Sequence, residues 1–152
     1  MSGINQDFGA DHPVTEQARF SVSGIPGLPG KVDIEFHDID AITDGFDTFD
    51  TVDGQSHSSG RQRASREIKA RIYANQKTQV AALDAWLAAG RAGKQGYKCT
   101  VINSYMFADG SPARSLRLTR AFPTNRVDPK SGDSGAAVIE YTFKYHRAEP
   151  LL

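Results

Sequence analysis

The segment Val138–Tyr145 (VIEYTFKY) constrains this chain more than any other. Ile139, Tyr141, Phe143 and Tyr145 fall on one side of an extended backbone. Val138, Glu140, Thr142, Lys144 and His146 fall on the other. Such alternation in β-branched and aromatic residues marks a strand with one buried face. Val127 to Gly135, ahead of it, holds Pro129 and a Gly/Ser/Asp cluster and reads as a polar loop. Arg114 to Phe122 reads as an earlier strand. Pro123 ends it, because proline cannot donate to a central ladder.

The same pattern extends upstream. Gln17 to Ile25 reads as a first strand carrying Phe20 and Val22, and Pro26 to Gly30 as a turn. Lys31 to Asp38 is a cleaner strand, with Val32, Ile34 and Phe36 on one face and Asp33, Glu35 and His37 on the other. Arg63 to Tyr73 sets Ile68, Ala70 and Ile72 against Glu67, Lys69, Arg71 and Tyr73. Thr78 to Arg91 is the one clear helix. Val80, Leu83, Trp86 and Leu87 form its apolar stripe, Thr78 its N-cap, and Gly90 and Gly93 its end. Tyr97 to Ala108 is a strand, joined to Arg114–Phe122 by the turn Asp109-Gly110-Ser111-Pro112. One helix among about six strands predicts a mainly β (α+β) fold: a small barrel or sandwich, with the helix flanking an edge or end and a long extended loop, Ile39 to Gly60. Met1 to Glu16 is polar and aperiodic and reads as an arm. Gln17 to Leu152 reads as a single domain.

Ile39 to Gly60 departs from this pattern. Ile42, Phe46, Phe49 and Val52 lie three or four apart, a spacing that allows a turn or two of helix. Asp44, Asp47, Asp50 and Asp53 fill the gaps. A segment this short, broken by Gly45 and Gly54, would not fold alone. It is expected to be mobile in a free subunit and to dock on a neighbour. From Val32 to Gly60 every charged residue is acidic, whereas Arg61, Arg63, Arg66, Lys69, Arg71 and Lys77 follow with Glu67 as their sole acid. Two readings stay open: pairing within one molecule, or complementary faces between identical subunits. On the second, Ile42, Phe46, Asp47, Phe49, Asp50, Arg61, Arg63 and Arg66 form the interface.

Composition excludes several functions. Lys plus Arg and Asp plus Glu both number 18, which argues against a dedicated nucleic-acid binder. A single cysteine, Cys99, rules out an intrachain disulfide and a cysteine zinc site and reads as a small buried hydrophobe. His12, His37, His57 and His146 show no metal spacing, and nothing implies a cofactor. No apolar run reaches membrane-spanning length, and the N-terminus lacks a signal pattern, so synthesis in a cytoplasm is expected. Gly132-Asp133-Ser134-Gly135 mimics the nucleophile turn of chymotrypsin-like proteases. Ala136-Ala137 follows it, however, and no histidine has the matching context, so it reads as a solvated turn. Asp40 to Thr51 mimics part of a calcium loop but has Ile42 and Thr51 where ligands are needed.

Ala121-Phe122-Pro123-Thr124, the Val127 to Gly135 loop and the Glu- and aromatic-rich strand Ile139 to His146 together resemble the C-terminal end of the tube proteins of contractile phage tails. With the helix and hairpin before them, the resemblance spans Phe20 to Leu152. It implies a non-enzymatic subunit of hexameric rings that stack into a hollow tube. Sheath contraction drives this tube out, and DNA or effectors pass through it without specific binding. Implied partners are copies of itself and sheath, baseplate and tape-measure proteins; the implied location is the virion tail. The tube protein of type VI secretion or of an extracellular injection system shares the fold and is the alternative. A small serine hydrolase using Ser134 is the last one.

Overall fold

The computed structural model describes residues 18–62, 66–94, 100–106, 109, 112–132 and 135–151. Along them run β1 (Ala18–Ser23), β2 (Lys31–Phe36), β3 (Asp38–Ile39), β4 (Phe46–Asp50), β5 (Ser56–Gln62), β6 (Arg66–Tyr73), α1 (Lys77–Arg91), β7 (Thr100–Met106), β8 (Pro112–Thr119), β9 (Phe122–Val127), β10 (Val138–Tyr145) and β11 (Arg147–Pro150). One sheet has the order β11-β8-β7-β1-β2 and a second the order β3-β6-β10-β9, while β4 and β5 form a separate hairpin. The pairings are antiparallel.

Alternation becomes burial, as expected. On β10, Ile139, Tyr141, Phe143 and Tyr145 are buried, and they lie opposite Ile72, Ala70, Ile68 and Arg66 of β6. Phe20, Val22, Ile34 and Phe36 bring the inner face of the other sheet against them. Phe143 is the meeting point. Its ring lies 5.1 Å from Phe20, 6.1 Å from Phe36 and 5.8 Å from Trp86. Edge-on and tilted packing of this kind adds about 0.5–1.5 kcal/mol per pair beyond burial.

Three strands pass from one sheet to the other, which makes the sandwich barrel-like. β2 becomes β3 at His37, whose N–H donates to the Arg71 carbonyl at 2.7 Å. β10 becomes β11 at His146, whose N–H donates to the Thr119 carbonyl at 2.8 Å. β8 becomes β9 through Arg120, which takes a left-handed φ of 51°, and the fully buried Ala121. This last corner corrects the strand expected from Arg114 to Phe122. The strand breaks at Arg120, and Phe122-Pro123 belong to the next one. Pro123 is tolerated because β9 is an edge strand, and it sits where the β9–β10 register shifts. The loop expected from Val127 therefore starts one residue later, and β11 follows where no strand was expected.

Helix α1 covers the end of the sandwich between β2 and β9. Ala82, Leu83, Trp86 and Leu87 are buried. The Gln79 side chain accepts the Glu35 N–H at 3.0 Å, occupying a backbone donor on the free edge of β2. Asp84 ties the helix to the second sheet, accepting from the Tyr141 hydroxyl at 2.7 Å and from Arg126 at 2.8 Å. Thr78 is not the N-cap. That position falls to Gln76, without a side-chain cap bond. At the other end Gly93, at φ 79°, donates to the Gly90 carbonyl at 3.0 Å, and Lys94 to that of Ala89 at 2.7 Å. This is a Schellman stop, which needs the left-handed residue that glycine supplies.

Trp86 is 1% exposed and joins helix to core. Trp86→Ala should therefore cost about 3–5 kcal/mol in urea unfolding. The native protein should show a blue-shifted tryptophan emission; a solvent-like maximum would contradict this packing.

Candidate functional site

Neither larger sheet contains β4 or β5; they pair with each other, Asp50 opposite Ser56 and Phe49 opposite His57. The segment read as a long loop, whose spacing allows a turn or two of helix, therefore holds a β-hairpin instead. Its three-to-four apolar spacing did not decide the backbone, because Thr48, Phe49 and Thr51 favour extended chain and the Thr51–Gln55 turn closes it. In that turn the Gly54 N–H donates to the Thr51 carbonyl at 2.9 Å and the Thr51 N–H to the Gln55 carbonyl at 2.9 Å. The Asp53 carboxylate accepts from the Thr51 hydroxyl and from the Gln55 N–H, and these bonds hold its pKa below the usual value. Asp50 accepts from Ser56 Oγ at 2.5 Å. Val52 stands at the tip, fully exposed, with the greatest exposure of any large apolar side chain among the described residues.

The entry to the hairpin is anchored. Ile42 is half-buried against the core. Tyr145, itself 1% exposed, donates its hydroxyl proton to the Thr43 carbonyl at 2.8 Å and accepts the Thr43 N–H at 3.0 Å. Arg66 is buried too. It donates to the His146 carbonyl at 2.6 Å and to the Gly45 carbonyl, with the Asp44 carboxylate 3.7 Å away. Arg66 therefore does not offer its charge to a neighbour at the surface. It shares the inward side of β6 with Ile68, Ala70 and Ile72, a parity already present in the sequence. Tyr145 was assigned to the core from its alternation, but nothing in the sequence links its hydroxyl to Thr43.

Several acids of the Val32–Gly60 block pair within the chain. Arg71 donates to Asp38 at 2.8 Å, Asp40 at 3.0 Å and Glu140 at 3.1 Å, and the two aspartates raise its pKa. Glu35 meets Arg19 at 3.1 Å, and Asp33 accepts from Ser21 at 2.8 Å. Asp40 and Asp44 of the calcium-like segment thus face different arginines. Among the described residues no group of three or more His, Cys, Asp or Glu converges. The His37 ring packs against Tyr73, tilted by 45° with centroids 4.6 Å apart, and His57 Nε2 lies 3.4 Å from Thr51 Oγ1. Met1 to Glu16, Arg63, Cys99, Asp133 and Ser134 lie outside the described residues, as do the side chains of Phe46, Asp47, Phe49 and Arg61.

This two-sheet, barrel-like fold with one helix matches that of chains from contractile injection systems. A chain of the PVC extracellular contractile injection system, from its extended sheath–tube complex, superposes with a TM-score of 0.69 at 18% identity, covering 99% of this chain and 97% of that one. The tube-terminating cap of the anti-feeding prophage gives 0.69 at 18% identity, covering 99% and 98%. Hcp1 from Flavobacterium johnsoniae gives 0.52 at 12% identity, covering 89% and 94%. No protein-family model matches the sequence, and no curated protein matches it.

Burial, and then the hydrogen bond to Asp84, raises the Tyr141 pKa above its ordinary 10.0. The folded state thus favours the neutral phenol. This contribution is complete below pH 10 and is lost as pH climbs past the unfolded value toward the folded one. Above pH 10 it removes up to about 1.4 kcal/mol per pH unit. Alkaline denaturation followed by circular dichroism should be steeper for the wild type than for Tyr141→Phe. Equal slopes would contradict the assignment.

Proposed function

We propose that the protein is a tube subunit of a contractile machine, a structural component without catalytic function. The observation that supports this most is fold similarity over nearly the whole of both chains with a member of a sheath–tube complex. In this reading six copies close a ring, rings stack into a hollow tube, and sheath contraction drives the tube outward. Sheath and baseplate proteins are its partners. A sheet edge offers unpaired N–H and C=O groups, and pairing them with a neighbour is an economical way to close a ring. An equal number of acids and bases suits a conduit that lets DNA or effectors slide without gripping phosphates. Two neighbours come from an extracellular contractile injection system and an anti-feeding prophage, which favours an extracellular injection system over a phage tail.

The β4–β5 hairpin is the proposed inter-subunit arm. A lone two-stranded ribbon is marginal in water and gains from burying its apolar side chains on another surface. Val52 leads from the tip, Phe46 and Phe49 act as anchors, and Asp47 and Asp50 meet Arg61 and Arg63 of a neighbour. Arg66 serves the root of its own hairpin instead.

An anchor of this kind is worth about 2 kcal/mol or more, roughly thirtyfold in affinity. Val52→Asp, and Phe46→Ala with Phe49→Ala, should each hold the protein as folded single subunits at concentrations where the wild type sediments as rings or tubes. Wild-type assembly by either variant would remove the hairpin from this role. Ser134→Ala should assemble normally, and a fluorophosphonate probe should leave the wild type unlabelled. Labelling lost in that variant would favour the hydrolase.

A further inference from the structure

One cross-strand pair supplies both grips on the hairpin entry. Tyr145 and Arg66 face each other as the last rung of the β10–β6 ladder. Each is buried, yet neither spends its polar atoms on the core. The Tyr145 hydroxyl takes both backbone groups of Thr43, one as donor and one as acceptor. The Arg66 guanidinium spans from the Gly45 carbonyl to that of His146, where β10 leaves for β11. A buried phenol or guanidinium that loses its partners pays the full cost of desolvation. Lifting residues 43–45 would strip the Tyr145 hydroxyl of both its bonds to Thr43 and Arg66 of its bond to Gly45, leaving Arg66 only its bond to His146. The seated position of the root is therefore favoured over a lifted one.

We infer that the Arg66–Tyr145 rung is a latch that seats the β4–β5 hairpin in a fixed pose in the free subunit, before any neighbour is met. The latch is a property of the lone subunit; its consequence for assembly rests on the hairpin being the inter-subunit arm. A latched arm loses less conformational freedom on docking than a mobile one, so rings form at lower concentration.

Hydrogen–deuterium exchange on the soluble subunit, at a concentration below assembly, tests this. Tyr145→Phe keeps the ring in the core and removes both bonds to Thr43. Exchange in Phe46–Asp50 and Ser56–Gln62 should rise about tenfold, while α1 stays as protected as in the wild type. Arg66→Met should act in the same direction. Tyr141→Phe is the control: its hydroxyl grips Asp84 on α1, so it should loosen the helix and spare the hairpin. Unchanged hairpin exchange in Tyr145→Phe would overturn the latch. So would a rise spread evenly over α1 and the β6–β10 ladder, which would make Tyr145 a general core residue. Sedimentation of the same variant separates the two readings. A loosened hairpin with a higher assembly threshold supports both latch and arm. A loosened hairpin with unchanged assembly leaves the latch standing and removes the arm.

Discussion

Phe143 is where the two sheets and the helix meet. Its ring packs on Phe20 from β1, Phe36 from β2 and Trp86 from α1, with Tyr141 on its own strand. The remaining elements depend on this contact. It fixes β10 against the other sheet and so fixes which side of β10 faces inward. Antiparallel pairing then transmits that choice to Ile68, Ala70 and Ile72 of β6, because a one-residue slip would turn every core side chain outward. The same register sets Tyr145 opposite Arg66 at the far end of the ladder. Aromatic packing in the middle of β10 thus determines where the hairpin is gripped.

The sheet edges are treated unequally. Gln79 of α1 satisfies a donor on the edge of β2, and β9 carries Pro123 at its bulge. β3 is two residues long. Short, covered or proline-bearing edges resist indiscriminate pairing.

Strands with one buried face were legible in the sequence, and so was the amphipathic helix. β10, β6 and β2 announce themselves by alternation, and α1 by a stripe that ends in the Gly93 stop. β11 was not legible, because Arg-Ala-Glu-Pro places a single small apolar residue, Ala148, on its inner side. β9 was hidden by reading Pro123 as a terminator; the edge position that tolerates it is set by tertiary pairing. The hairpin was not legible because Ile42, Phe46, Phe49 and Val52 mimic helical spacing, although Ile42 packs on the core and Val52 stands exposed in the tip turn. At the site, Arg66 had the parity of a core residue, and a buried arginine could have been inferred from it. Its partners could not, since they are backbone carbonyls from distant parts of the chain.

The tube reading joins three physical features: a barrel whose edges are short, covered or proline-bearing, a hairpin that belongs to neither sheet, and equal numbers of acids and bases in the sequence. Each suits a protein whose binding partner is another copy of itself. The most direct test is electron microscopy of the purified wild-type protein over rising concentration. The account predicts closed rings of uniform diameter with a central hole, six-fold in projection, that stack end to end into hollow tubes. Single subunits persisting at every concentration, or irregular aggregates without a lumen, would contradict it.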